Sequence, residues 1–155
     1  MTIESYKPQT ADEISALEIY LRLLDACNEQ DAHKFGHLFS GTAYLIGFDG
    51  TQMIGQSQVE GALKKIFANH NTGKYKAKVR DIRHLDRHCL LLFAITGIIP
   101  TGGNLIDPTK IAFQSMVVCK SSAGWFIELF QNTPAEFQGR PDEIEVFTNE
   151  LMELV

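Results

Sequence analysis

Any chemistry in this chain has to come from a small set of polar side chains. His33 and His37 stand at i, i+4 spacing, which puts two imidazoles on one face of a helix as metal ligands often are. No acid accompanies them in an HExxH pattern, so they read as solvent-facing helix residues and no metal is expected. His84 and His88 flank a turn and read as surface. His70 ends an apolar-periodic segment, where a helix C-terminus favours a cation, and it borders any cavity there. The second set closes the run Trp125-Phe126-Ile127-Glu128-Leu129-Phe130-Gln131-Asn132-Thr133-Pro134. Strict alternation puts Trp125, Ile127, Leu129 and Gln131 on one face and Phe126, Glu128, Phe130 and Asn132 on the other. Such a strand builds a core at one end and the polar tip of a pocket at the other. It makes Gln131 the expected pocket amide and Asn132 an outer-face residue. Walker A, GxGxxG and GxSxG motifs are missing, as is a cysteine–histidine pair with an orienting partner. The loop from Pro100 to Pro108 lacks a following helix and reads as a flexible hairpin loop and candidate lid, not a phosphate cradle. No cofactor is expected.

These groups sit in 155 residues, one domain by length, able to bury roughly 70% of the unfolded surface. The chain is 45% hydrophobic and 21% charged, with a net charge of −5. A nucleic-acid surface would need a clustered basic face; the nearest approach, Lys74, Lys76, Lys78 and Arg80, has the period of a strand's solvated face. Neither nucleic acid nor membrane is expected as a partner. Cys27, Cys89 and Cys119 are odd in number with no CxxC spacing, and read as buried free thiols of a reducing compartment. The first residues carry no apolar signal and no run is bilayer-length, so a cytoplasmic protein is expected.

Residues 1–10 read as a flexible arm. Thr10 or Asp12 caps a long amphipathic helix to about Glu29, and Asp31 caps a short one that Ser40-Gly41 ends. Thr42 to Phe48 is a strand, Asp49-Gly50 a hairpin turn, and Gln52 to Ile54 a short return. Ser57 and Glu60 form a capping box for a third helix ending near His70. Four strands follow in a meander: 74–84, 88–99, 110–120 and the strand from Trp125. Residues 140–155 form a C-terminal helix. The order predicts an α+β domain over 1–155, with helices on the concave face of a curved antiparallel sheet. The uncovered face is then free to pair with a second subunit.

The order of elements resembles the nuclear transport factor 2-like fold, also called SnoaL-like or cystatin-like. Gly124-Trp125 with Phe130-Gln131-Asn132-Thr133-Pro134, Gly55 before the third helix, Gln114 and Gly139-Arg140-Pro141 resemble the SgcJ/EcaC family of that superfamily. The resemblance spans about Asp12 to Val155. It implies a cone with a pocket at its open end and a homodimer through the sheet face. Isomerase-type relatives place a carboxylate base near the end of the first strand; Gly47 occupies that position here, and Asp49 lies two residues on. Asp49 is therefore the candidate base and Tyr44 a candidate hydroxyl donor, with no redox motif in sight. Phe35, Phe39, Phe93, Gln114 and Gln131 are the candidate ligand-binding residues, although Met116 and Val118 leave the face of Gln114 open. Three functions follow as expectations. The first is binding of a small, partly hydrophobic molecule. The second is acid–base catalysis on it, as an isomerase, cyclase or dehydratase. The third is a dimeric association module without ligand.

Overall fold

The computed structural model describes residues 3, 4, 6–71 and 73–155. In chain order the elements are β1 (Ile3–Glu4), α1 (Ala11–Glu29), α2 (Ala32–Gly36), β2 (Phe39–Ile46), β3 (Gln52–Ile54) and α3 (Gly55–Asn69). Then come β4 (Lys74–His84), β5 (Cys89–Ile99), β6 (Ala112–Ser121), β7 (Gly124–Pro134) and α4 (Pro141–Met152).

Thr10 starts α1 in the expected way. Its hydroxyl oxygen accepts from the Glu13 N–H at 3.1 Å, and Glu13 Oε1 accepts from the Gln9 N–H at 3.3 Å. Gln30 turns the chain with a left-handed φ of 57°, and Asp31 caps α2 through the Lys34 N–H. The expected capping box of α3 does not form. The helix begins at Gly55, and Gln58 Oε1 accepts from the Ile54 N–H at 2.9 Å, which leaves the Glu60 carboxylate to face α2 instead. Residues 1, 2 and 5 of the expected arm lie outside the described residues. Ile3–Glu4 pairs with Ala77–Lys78, and the Tyr6 hydroxyl donates to Glu13 Oε1 at 2.6 Å.

Among the described residues the sheet has seven strands in the order β1-β4-β5-β6-β7-β2-β3. The meander β4 to β7 is antiparallel as expected, but the sheet as a whole is mixed: β1 runs parallel to β4, and β2 parallel to β7. Parallel pairing of β2 with β7 brings the early hairpin beside the last strand, so one surface of the sheet curves over α1, α2 and α3. Leu90, Leu92, Ala94, Met116, Val118 and Ile127 from the sheet, with Tyr20, Leu23, Phe35 and Val59 from the helices, make that core.

Three irregularities reset the faces: Arg80 is the extra residue in β4 between Val79 and Asp81, and the other two, in β7 and β2, bear on the site. From Val118↔Ile127 to Val117↔Leu129, β6 advances one residue while β7 advances two, so Glu128 is a bulge residue. Everything beyond it changes face. Trp125 and Ile127 point to the helices as alternation predicts, but Leu129 and Gln131 turn outward while Phe130 and Asn132 turn inward. β2 bulges between Phe39 and Tyr44, so it begins at Phe39, before the Thr42 start expected from composition. Gly41 O of that bulge lies so close to Gly55 that a Cβ there, at φ +82°, would sit 2.7 Å from it. Only glycine fits the position without strain.

The outer surface is not bare. Ile95 and Gly97 of β5 pack under Ile106 and Leu151, which fixes α4 against it. Lys78 and Arg80, expected to be solvated, pair there with Glu153 and Glu150. The loop after β5 is tied to α4 through Ile106.

The cysteine expectation is corrected for two of three residues. Cys89 and Cys119 stand directly opposite one another in β5 and β6, with Cα atoms 4.2 Å apart, and form a disulfide. Sequence spacing could not reveal this, because cross-strand register sets the pairing. Cys27 is a free thiol, and burial pushes it up to about 12. No helix of the described residues is long and apolar enough to cross a membrane.

Candidate functional site

A cavity of about 610 Å³ opens between the helices and the concave surface of the sheet. Leu23, Leu24 and Cys27 of α1, Phe35 of α2, and Ala62, Leu63, Ile66 and Phe67 of α3 form one side. Leu45, Met53 and Phe130 form the sheet side. The β2–β3 hairpin, with Phe48, Asp49 and Thr51, and the end of α3, with Lys65 and His70, frame the mouth. Helical spacing on α1 and α3 and two-residue spacing on the strands direct these side chains inward. The size suits a small organic molecule.

The floor of this apolar space is a hydrogen-bonded chain of neutral groups. The Tyr20 hydroxyl, fully buried, donates to Gln114 Oε1 at 2.5 Å. Gln114 Nε2 donates to Asn132 Oδ1 at 3.3 Å, and the Asn132 side chain is in turn hydrogen-bonded to Tyr75. Burial raises both phenols above their ordinary range, so Tyr20 and Tyr75 stay protonated. Tyr75, Gln114 and Asn132 all line the cavity. The floor therefore offers hydrogen bonds without a charge, the condition for orienting a carbonyl or hydroxyl on an otherwise apolar ligand.

The mouth is different. Asp49 Oδ1 accepts from the Thr51 N–H at 2.9 Å. Hydrogen bonds from Thr51, side chain and backbone, hold its carboxyl below the usual carboxylate value. It is an exposed, ionised turn residue at the rim.

The candidate residues of the sequence divide accordingly. Phe35, Gln114 and Asp49 line the cavity. Phe39 is fully buried behind Phe35, the two rings stacked at 5.5 Å, and belongs to the core. Tyr44 is 53% exposed on the outer surface, beyond reach of Asp49's side of the sheet, because Ala43 and Leu45 take the inward positions. Phe93 also faces outward and stacks on Phe113 at 5.8 Å. Gln131 pairs with Ser115 and Ile46 on the outer side, and Asn132 takes the inward place expected of it. Tyr20 and Tyr75 were within the apolar stripes of α1 and β4, where periodicity marks burial but not the polar tip. Asn132 was missed because nothing in the local pattern announces a bulge.

Comparison with known proteins places this geometry in a structural class. The chain has the cystatin-like, nuclear transport factor 2-like fold. A domain of unknown function with a cystatin-like fold from Nostoc punctiforme superposes with a TM-score of 0.79 at 24% identity, over 92% of this chain and 88% of that one. An NTF-2 like protein of unknown function from Shewanella oneidensis gives 0.65 at 14% identity, over 79% and 98%. A ketosteroid isomerase-like protein from Erwinia carotovora gives 0.65 at 11% identity, over 83% and 99%. No family model and no curated protein matches the sequence.

Proposed function

We propose that this protein binds a small, flat, partly hydrophobic molecule in the cavity, oriented by hydrogen bonds to Asn132, Gln114 and Tyr75. The observation that carries the reading is the pairing of apolar walls with a neutral amide–phenol floor. Within the superfamily, the Phe130-to-Pro134 segment favours a place in the SgcJ/EcaC family. Ala62 lies on the wall, so Ala62→Trp should fill the cavity without touching the floor. A set of mono- and bicyclic ketones and phenols should include compounds that raise the Tm of the wild-type chain and leave Ala62→Trp unmoved. Equal shifts in both proteins, or no shift with any compound, would sink the reading.

Acid–base catalysis by Asp49 is a second reading, favoured by the placement of that carboxylate on the cavity rim. Its depressed pKa makes it a weak base, so turnover would be slow. Loss of turnover in Asp49→Asn with binding retained supports it; unchanged turnover ends it.

The outer sheet surface beside α4 carries Tyr44, Ile54 and Phe93 exposed, with Leu91, Val117 and Leu129 half-buried. This apolar patch supports a homodimer through the sheet. Light scattering at micromolar concentration should give twice the chain mass, and Leu129→Glu should return it to one. A monomeric wild type contradicts the pairing.

A further inference from the structure

Away from the cavity, on the far side of the α2–α3 contact, three side chains converge that the sequence pattern did not connect. His33 and His37 lie one turn apart, at the start of α2 and just past its end, with ring centroids 3.8 Å apart. Glu60 of α3 reaches between them. Its Oε1 is 3.0 Å from His33 Nδ1 and 3.4 Å from His37 Nε2. One atom from each of the three lies within 4.8 Å of the others. The second carboxylate oxygen is occupied separately, by Lys64 Nζ at 3.4 Å.

These separations are those of His–Glu hydrogen bonds, and they equally match the edges of a metal coordination shell. Ligand bonds of about 2.0–2.1 Å in a tetrahedral arrangement put neighbouring ligand atoms about 3.3 Å apart. The two measured nitrogen–oxygen separations bracket that value. Both histidines are more than half exposed, so their rings can turn to close the third edge at little cost, while Glu60 is 22% exposed and better held. The backbone keeps the helices close enough for this. A Cβ on Gly36 would stand 2.8 Å from the Glu60 Cβ and 3.1 Å from its Cα, so the absence of a side chain at Gly36 sets the approach of α2 to α3 beside the carboxylate.

We propose that His33, His37 and Glu60 form a three-ligand site for a divalent first-row transition ion of the zinc class. Two imidazoles and one carboxylate suit zinc, cobalt or nickel better than calcium or magnesium, which prefer all-oxygen shells. The fourth position faces solvent and holds water. Lys64 orients the carboxylate from outside the shell. The ion joins α2 to α3. Phe35 of α2 and Leu63, Ile66 and Phe67 of α3 line the cavity, so metal loading also fixes one wall of the pocket.

The test uses untagged, chelator-treated protein and zinc titration against a chromophoric chelator. Wild type should take up one zinc per chain, with a rise in Tm. His37→Ala and Glu60→Gln should each weaken binding by more than about 100-fold, beyond the 10–100-fold typical of losing an outer-shell partner. His70→Ala and His84→Ala, which alter histidines elsewhere, should bind as wild type does. Cobalt(II) added to wild type should produce the intense visible bands of a four-coordinate ion, a readout that survives if a variant fails to fold. Zinc affinity unchanged in His37→Ala and Glu60→Gln, or a cobalt spectrum unchanged from the aqueous ion, overturns the proposal.

Discussion

Gln114→Leu should destabilise the chain by about 1–3 kcal/mol and remove ligand binding, although the side chain it introduces is apolar and close in size. Gln114 is 3% exposed and, among the described residues, links Tyr20 to Asn132 in the hydrogen-bond chain of the floor. Without it the Tyr20 hydroxyl, fully buried, loses its acceptor and Asn132 Oδ1 loses a donor. A buried polar group left unpaired costs more than the hydrogen bond was worth, whereas removing both partners together costs little. Tyr20→Phe in the Gln114→Leu background should therefore recover part of the lost stability, with a coupling of at least about 0.5 kcal/mol in a urea-denaturation cycle. Ligand binding should not recover, because the floor has lost its amide. Strict additivity of the two substitutions would show that the network is not energetically joined. The raised phenol pKa values add a pH signature. Each contributes stability that is complete below the ordinary tyrosine value of 10.0 and is lost as pH rises from there through the higher folded-state value. Tyr20→Phe should flatten the alkaline part of the stability curve.

Phe39→Ala should give the largest loss of stability, about 3–5 kcal/mol, equivalent to a fall in Tm of roughly 6–20 °C for a domain of this size. The ring is fully buried at the start of β2, stacked on Phe35, where α2, the bulge and the sheet meet. Surrounding elements cannot collapse into the space: Gln56 Nε2 donates to Phe39 O at 3.1 Å, and Gly55 abuts Gly41 O. Because Phe35 lines the cavity, the same substitution should loosen the α2 wall and weaken ligand binding. Thermal unfolding followed by circular dichroism measures the first effect. A loss below about 1 kcal/mol would contradict the placement of Phe39 in the sealed core.

Much of this architecture is legible in the residues. Asp31 caps α2 as expected, Thr10 and not Asp12 caps α1, and the four-strand meander follows from two-residue alternation and turn residues. The site is legible only in part, and the reason is physical. Alternation carries a strand's facing only while the ladder is regular, and the bulge at Glu128 moves the pocket amide from Gln131 to Asn132. Burial by itself does not separate Phe39, in the core, from Phe35, on the cavity. Capping-box spacing at Ser57 and Glu60 is equally silent about tertiary contact: Glu60 turns to the two histidines because Gly36 lets the helices approach. The pairing of Cys89 with Cys119 likewise depends on register between strands, which no local spacing encodes.

The side-chain amide resonances of Gln114 and Asn132 report directly on the floor of the cavity. Nuclear magnetic resonance on the wild-type chain, titrated with the compound that stabilises it most, should shift both amide pairs in step with occupancy. If those resonances stay fixed while backbone signals on the outer sheet surface move, the ligand sits elsewhere and the cavity is not the binding site.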